Sequence, residues 1–264
     1  MMIANNLQLT FNKGTPIENP ALRGLSLHIN EGEFVTVIGT NGAGKSTFLN
    51  TISGALRPDT GSVVINSKDV TRQPTHKRSH LVARVFQDPL AGTCESLTIE
   101  ENMALAFKRG GVRGLLPALN AKSRELFKEK LSLLKLGLEN RLTDRIGLLS
   151  GGQRQAVSLL MASLQPSKIL LLDEHTAALD PKTADFVLQL TDEIVSTGKL
   201  TTMMVTHSMQ QALSHGTRTV MLHQGQVVLD VSGDDRRGMT VADLLDMFEK
   251  TRGEKVTDDS LILG

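Results

Sequence analysis

The run Gly39-Thr40-Asn41-Gly42-Ala43-Gly44-Lys45-Ser46-Thr47 constrains this chain more than any other stretch. It follows a β-branched apolar run, Phe34 to Ile38, and precedes Phe48, Leu49 and Ile52, which share one helical face that Gly54 is placed to end. Strand, glycine-rich loop and helix in that order are the context in which G-x-x-x-x-G-K-S binds phosphate. Glycines let the backbone wrap closely, so that its N–H groups and the helix N-terminus face an anion. In that arrangement Lys45 reaches the β/γ-phosphates of a nucleotide and Ser46 offers its hydroxyl to Mg2+.

A second stretch supplies the chemistry such a loop needs. Ile169 to Leu172 is an apolar strand that ends in Asp173-Glu174. Parallel sheets bind ligands at the carboxyl ends of their strands, where one carboxylate can hold Mg2+ and the next can face an attacking water. A strand ending in two acids is unspecific alone and becomes informative beside the glycine loop.

The remaining pattern predicts an α/β chain. Leu25 to Ile29 and Phe34 to Ile38 read as strands broken at Glu31-Gly32-Glu33. From about Asp88 to Leu148 the texture turns helical: Thr98-Ile99-Glu100-Glu101 forms a capping box before Met103 to Phe107. Ala121 to Leu136 then places Leu126, Phe127, Leu131 and Leu134 near one face, with Gly137 as the expected left-handed cap. Lys108 to Pro117, between them, reads as a surface loop. Helices over 151–164 and 182–196 alternate with strands over 168–172 and 201–206, which implies a largely parallel sheet with right-handed crossovers. Thr219 to Leu222 and Gln226 to Leu229 flank a hairpin turn at His223-Gln224-Gly225, and Thr240 caps a final amphipathic helix.

Leu149-Ser150-Gly151-Gly152-Gln153, about twenty residues before Asp173, completes the set. With the glycine loop and the acidic strand end it closely resembles the signature of ABC ATPases, and the resemblance covers nearly the whole chain. It implies one ABC ATPase domain over 1–264: a P-loop NTPase core of mostly parallel sheet (1–87 and 149–250), N-terminal antiparallel strands, an inserted helical subdomain (88–148) and a polar tail (251–264). It also implies ATP and Mg2+ as cofactors and a head-to-tail homodimer, in which Ser150, Gly151, Gly152 and Gln153 face the nucleotide held by the other copy. Gln87 corresponds to the glutamine that contacts Mg2+ or water, and Ala178-Leu179-Asp180 resembles the loop that crosses the dimer interface. His207 resembles the switch histidine at the γ-phosphate. Phe11 either stacks on adenine, where the family usually has tyrosine, or belongs to the core. The family usually has proline after the catalytic glutamate; here His175 follows Glu174.

Composition narrows the partners. With 29 basic and 28 acidic residues there is no excess charge to recruit nucleic acid. The lone Cys94 fits a reducing compartment, and the N-terminus lacks the pattern of a secretory signal. Apolar runs such as Ile169 to Leu172 fall far short of the roughly 20 residues that cross a bilayer, so a separate permease is expected to supply the membrane part. The resemblance therefore implies a cytoplasmic motor, peripheral on the inner membrane face. It would serve an importer with an extracytoplasmic solute-binding protein and a small solute such as an amino acid. The alternative is a soluble ABC ATPase of an assembly system such as iron–sulfur cluster biogenesis.

Overall fold

The computed structural model describes residues 1–111 and 118–252. Most of the loop expected over 108–117 and nearly all of the polar tail lie outside the described residues.

The chain begins with β1 (Met2–Phe11), β2 (Asn19–Ile29) and β3 (Phe34–Gly39), followed by α1 (Lys45–Ser53), β4 (Thr60–Ile65), β5 (Lys68–Asp69), α2 (Thr75–Arg78) and β6 (Val82–Val85). Gly54 ends α1 with φ 82, the left-handed cap its position predicts. Strands β2-β1-β4-β5 form an antiparallel sheet. The helical stretch contributes α3 (Ile99–Phe107) and α4 (Ala121–Ser132). Thr98 and Glu101 form the expected capping box on α3. Helix α4 stops short of the expected Leu136, because Lys135 already turns left-handed with φ 55; Gly137 then opens a short 3-10 turn, Leu138–Asn140, instead of closing the helix.

The second half follows the expected alternation: α5 (Gly151–Ser163), β7 (Ile169–Asp173), α6 (Pro181–Gly198), β8 (Thr202–Val205), α7 (Met209–Ser214), β9 (Arg218–His223), β10 (Gln226–Ser232), α8 (Gly233–Arg236) and α9 (Val241–Arg252). The β9–β10 turn is only Gln224-Gly225, both at positive φ, the geometry that matches strand twist. These strands build a six-stranded sheet in the order β10-β9-β3-β8-β7-β6. The pairs β9–β3, β3–β8, β8–β7 and β7–β6 are parallel, and only β10 runs against its neighbour.

Period-two alternation along β3 divides its buried side chains between layers. Val35 and Val37 join Phe48, Leu49 and Ile52 of α1 in a core between the two sheets. Phe34 points into the opposite layer, where Phe127 and Leu131 of α4 and Ile99 and Met103 of α3 pack with Val157 of α5 and Leu170 and Leu172 of β7. The buried residues of the helical region are thus continuous with those under the sheet. Burying β3 on both faces explains why its sequence is an uninterrupted apolar run apart from Thr36, whose hydroxyl bonds the Ala212 carbonyl.

Candidate nucleotide site

Because β3, β6, β7 and β8 are parallel, their carboxyl ends lie along one edge, and each releases a motif there. Register places Val37 beside Val205, and Asp173 beside Val205 in turn, so the loops leaving β3, β7 and β8 are immediate neighbours. β6 lies beside β7 with Val85 opposite Leu172, which brings Gln87 to the same edge.

The loop from Gly39 to Gly44 owes its shape to glycine. A Cβ on Gly39 would lie 2.2 Å from the Leu222 carbonyl oxygen, and one on Gly44 would lie 2.7 Å from that of Ala21. Neither carbonyl can yield, since both belong to packed backbone. The β9–β10 turn braces the loop from outside, with the Gly225 N–H donating to the Ala43 carbonyl at 3.0 Å. α1 starts at Lys45 with Gly44 at φ 98 and no side chain capping its first turn, and that turn carries no acidic residue. Its N–H groups and positive dipole end therefore suit an anion. Ser46 is exposed on this turn. Lys45 is buried, and its Nζ donates to the carbonyls of Gly39 at 2.7 Å and Thr40 at 3.3 Å.

At the end of β7, Asp173 Oδ2 accepts from Arg84 Nη2 at 2.6 Å, and Arg84 Nη1 donates to Asn50 Oδ1 on α1 at 2.7 Å. The guanidinium also lies 4.5 Å over the Phe86 ring. Sequence reasoning missed Arg84; the available signal was a charged residue inside the buried strand Val82-Ala83-Arg84-Val85. Glu174 adopts φ 43, a conformation that is strained for a residue with a Cβ and is held by its N–H bond to the Val205 carbonyl at 2.9 Å. Its Oε2 lies 3.9 Å from His207 Nδ1, too far for a direct hydrogen bond. Gln87 is exposed, and the Gln155 side chain of α5 donates to the Phe86 carbonyl beside it at 3.0 Å.

The other expected residues are held by local contacts. Ser150 is the N-cap of α5 and shares a reciprocal capping box with Gln153, so both side chains already serve the helix end. Gly151 packs beside Leu179, and a Cβ on Gly152 would meet Thr183 Cγ2 at 2.0 Å, so this helix start rests on the 179–183 segment rather than on the phosphate loop. Asp180 caps α6 by accepting from the Thr183 N–H at 3.1 Å, and its bonds to Thr183 hold its carboxyl below the usual range. Phe11, at the end of β1, is half-buried against the core between the sheets.

A family model described as "ABC transporter" matches residues 22–177, which span the glycine loop, the Ser150–Gln153 helix start and the Asp173–Glu174 strand end. The chain belongs to the ABC transporter family. It is 45% identical, over 94% of its length and 99% of the relative's, to a tyrosine transport ATP-binding protein of Clostridioides difficile. A thiamine import ATP-binding protein of Yersinia pseudotuberculosis is 35% identical over 77% of this chain and 81% of its own. Among solved structures, a dimeric ATP-binding cassette in a post-hydrolysis state with ADP and Pi superposes with a TM-score of 0.75 and 31% identity, covering 90% of this chain and all of that one.

The ABC transporter cassette described here is thus an ATPase whose hydrolysis is coupled to transport, and its fold is that of the P-loop NTPases. Among the described residues no helix is long and apolar enough to cross a membrane. None of the described residues forms a cage of three or more His, Cys, Asp or Glu side chains for a metal. Ser46 on the first turn of α1 and Asp173 at the end of β7 carry oxygen donors of the kind that suits Mg2+, an ion that keeps its waters and leans on substrate phosphates.

Proposed function

We propose that this cassette drives import of a small solute, an aromatic amino acid in the first instance, through a separate membrane permease supplied by an extracytoplasmic solute-binding protein. The observation that carries the reading is the 45% identity extending over 99% of a tyrosine transport ATP-binding protein. The import name of a second relative supports the direction. Relatives with transport names favour this reading over an assembly ATPase. A cassette of this kind works on the cytoplasmic face of the membrane, docked on its permease.

In this reading the phosphate loop, Gly39 through Thr47, wraps the nucleotide phosphates, and Phe11 lies against the adenine. Lys45 leaves the Gly39 and Thr40 carbonyls for the β/γ-phosphates. Ser46, Asp173 and Gln87 hold Mg2+, which when bound neutralises phosphate charge. Glu174 orients the attacking water, with its strained backbone as the mark of a position kept for function. His207, beside it, meets the γ-phosphate. Ser150, Gly151, Gly152 and Gln153 start α5 away from their own phosphate loop, which supports their serving the nucleotide of a second copy, with Asp180 at the seam. The dimeric ADP-and-Pi relative supports the same assembly.

Glu174→Gln tests the central assignment. Loss of the carboxylate should lower ATP turnover by roughly a hundredfold or more while ATP binding and ATP-driven dimerisation persist. Ordinary turnover in that variant would overturn the role given to Glu174. Reconstitution with the permease tests direction: ATP-dependent efflux without uptake would reject import.

A further inference from the structure

One turn of α6 bonds both the residue after Glu174 and the far end of the short helix that follows His207. His175, directly after Glu174, is buried, and its Nε2 lies 2.9 Å from Thr191 Oγ1. The Thr191 hydroxyl hydrogen is already committed to the Val187 carbonyl at 2.8 Å, so the oxygen accepts and the imidazole donates. The next residue, Asp192, uses Oδ2 to take His215 Nδ1 at 2.7 Å. His215 closes α7, the short helix whose N-cap, Ser208, immediately follows His207. Arg236 clamps that closing turn by donating to the carbonyls of Ala212, Leu213 and His215. At its start, the Ser208 N–H donates to Thr206 Oγ1 and the Ser208 side chain accepts from the Gln211 N–H.

Consecutive residues on an α-helix point about 100° apart, so Thr191 and Asp192 serve two different neighbours from one rigid step of backbone. We propose that Thr191 and Asp192 are positioning residues, which fix the spacing between Glu174 and His207 by tethering His175 on one side and His215 on the other. The inference rests on the roles given above to Glu174 and His207. Those two side chains approach to 3.9 Å without a direct hydrogen bond, so something else must set their separation. Bonding the residue after Glu174 and the end of α7 to a common helix does so, and the same helix begins at the Asp180 cap, at the proposed dimer seam. Where the family usually has a rigid proline after the glutamate, this chain has a histidine with a hydrogen bond, and Thr191 is its partner.

The test is steady-state ATPase on the full chain with Thr191→Val, Thr191→Ser, Asp192→Ala and the Val/Ala pair, each with a thermal midpoint. Glu174→Gln and His207→Ala serve as controls. Misplacing reacting groups by a fraction of an ångström should lower kcat roughly tenfold in Thr191→Val and in Asp192→Ala, with KM for ATP moving less than about twofold. Thr191→Ser keeps the hydroxyl and should restore kcat. The double variant should lose less than the product of the two single losses, because both act on one spacing. If Thr191→Val and Asp192→Ala keep kcat within about twofold at a temperature where they are folded, whatever their thermal midpoints, the proposal is overturned. If Thr191→Ser is as slow as Thr191→Val, the hydrogen bond is not the cause and the tether is rejected. Unimpaired turnover in the Glu174→Gln and His207→Ala controls would instead overturn the reading of the catalytic loops themselves.

Discussion

Acid should weaken this protein through His175. The imidazole is buried in the layer beneath α6, and that burial pushes its pKa from 6.5 down to about 4, with the neighbouring His215 acting in the same direction. The sign follows from which state takes up the proton. Above pH 6.5 neither the folded nor the unfolded chain protonates this group, and its contribution to stability is full. As pH falls from 6.5 toward 4, the unfolded chain gains a proton that the folded chain refuses, so stability is lost. The loss amounts to about 2 kcal/mol by pH 5 and about 3 kcal/mol by pH 4, where the folded state begins to take the proton as well. That is a large share of the 5–15 kcal/mol or so that holds a typical domain together. The assay is urea denaturation across pH 7.5 to 4 for the native chain and for His175→Asn, whose amide can still donate to Thr191 but does not titrate. Carboxylates common to both chains cancel in the difference. The native chain should therefore lose about 2 kcal/mol more than the variant between pH 7 and pH 5. Parallel curves for the two chains would refute the argument, because they would mean that His175 is protonated as easily in the fold as out of it.

Two further outcomes follow from close contacts and caps. Gly39→Ala puts a methyl 2.2 Å from the Leu222 carbonyl, so β3 and β9 must part; a loss of about 2 kcal/mol in urea and a marked drop in nucleotide affinity are expected, and unchanged values for both would show that the loop tolerates a Cβ. Thr98→Ala removes the hydroxyl that accepts the Glu101 N–H at 3.2 Å and leaves that carboxylate with a single local partner, which should lower stability by about 1 kcal/mol, while Thr98→Ser holds near the native value; equal midpoints for all three would deny the cap any role.

What the sequence determined by itself is what short stretches of backbone can decide alone. The Gly39–Ser46 loop, the Gly54 cap, the Thr98–Glu101 box and the Ser150–Gln153 helix start each depend on steric limits or hydrogen bonds that span a few residues, so residue type and spacing suffice to read them. The β-branched run before the loop and the apolar run before Asp173 are legible for a related reason: strands buried on both faces are apolar at nearly every position. Even there, the local reading of α4 ran too far, since leucine spacing continued past Lys135, where the chain had already turned left-handed.

Only the tertiary structure decided which of these pieces meet. Arg84 reaches Asp173 across 89 residues, His215 reaches Asp192 across 23, and the β9–β10 turn braces a loop that lies far ahead of it in the chain. Such contacts follow from the order β9-β3-β8-β7-β6, which carries no local signature: any parallel order would satisfy the same alternation of helices and strands. The sheet's strand order places four strand ends on one edge, and α6 bonds through Thr191 and Asp192 to two histidines that lie 16 and 23 residues away from them. Pairing energy depends on neighbours that the chain acquires only by folding, which is why the motifs could be read from the sequence and the distances between them could not.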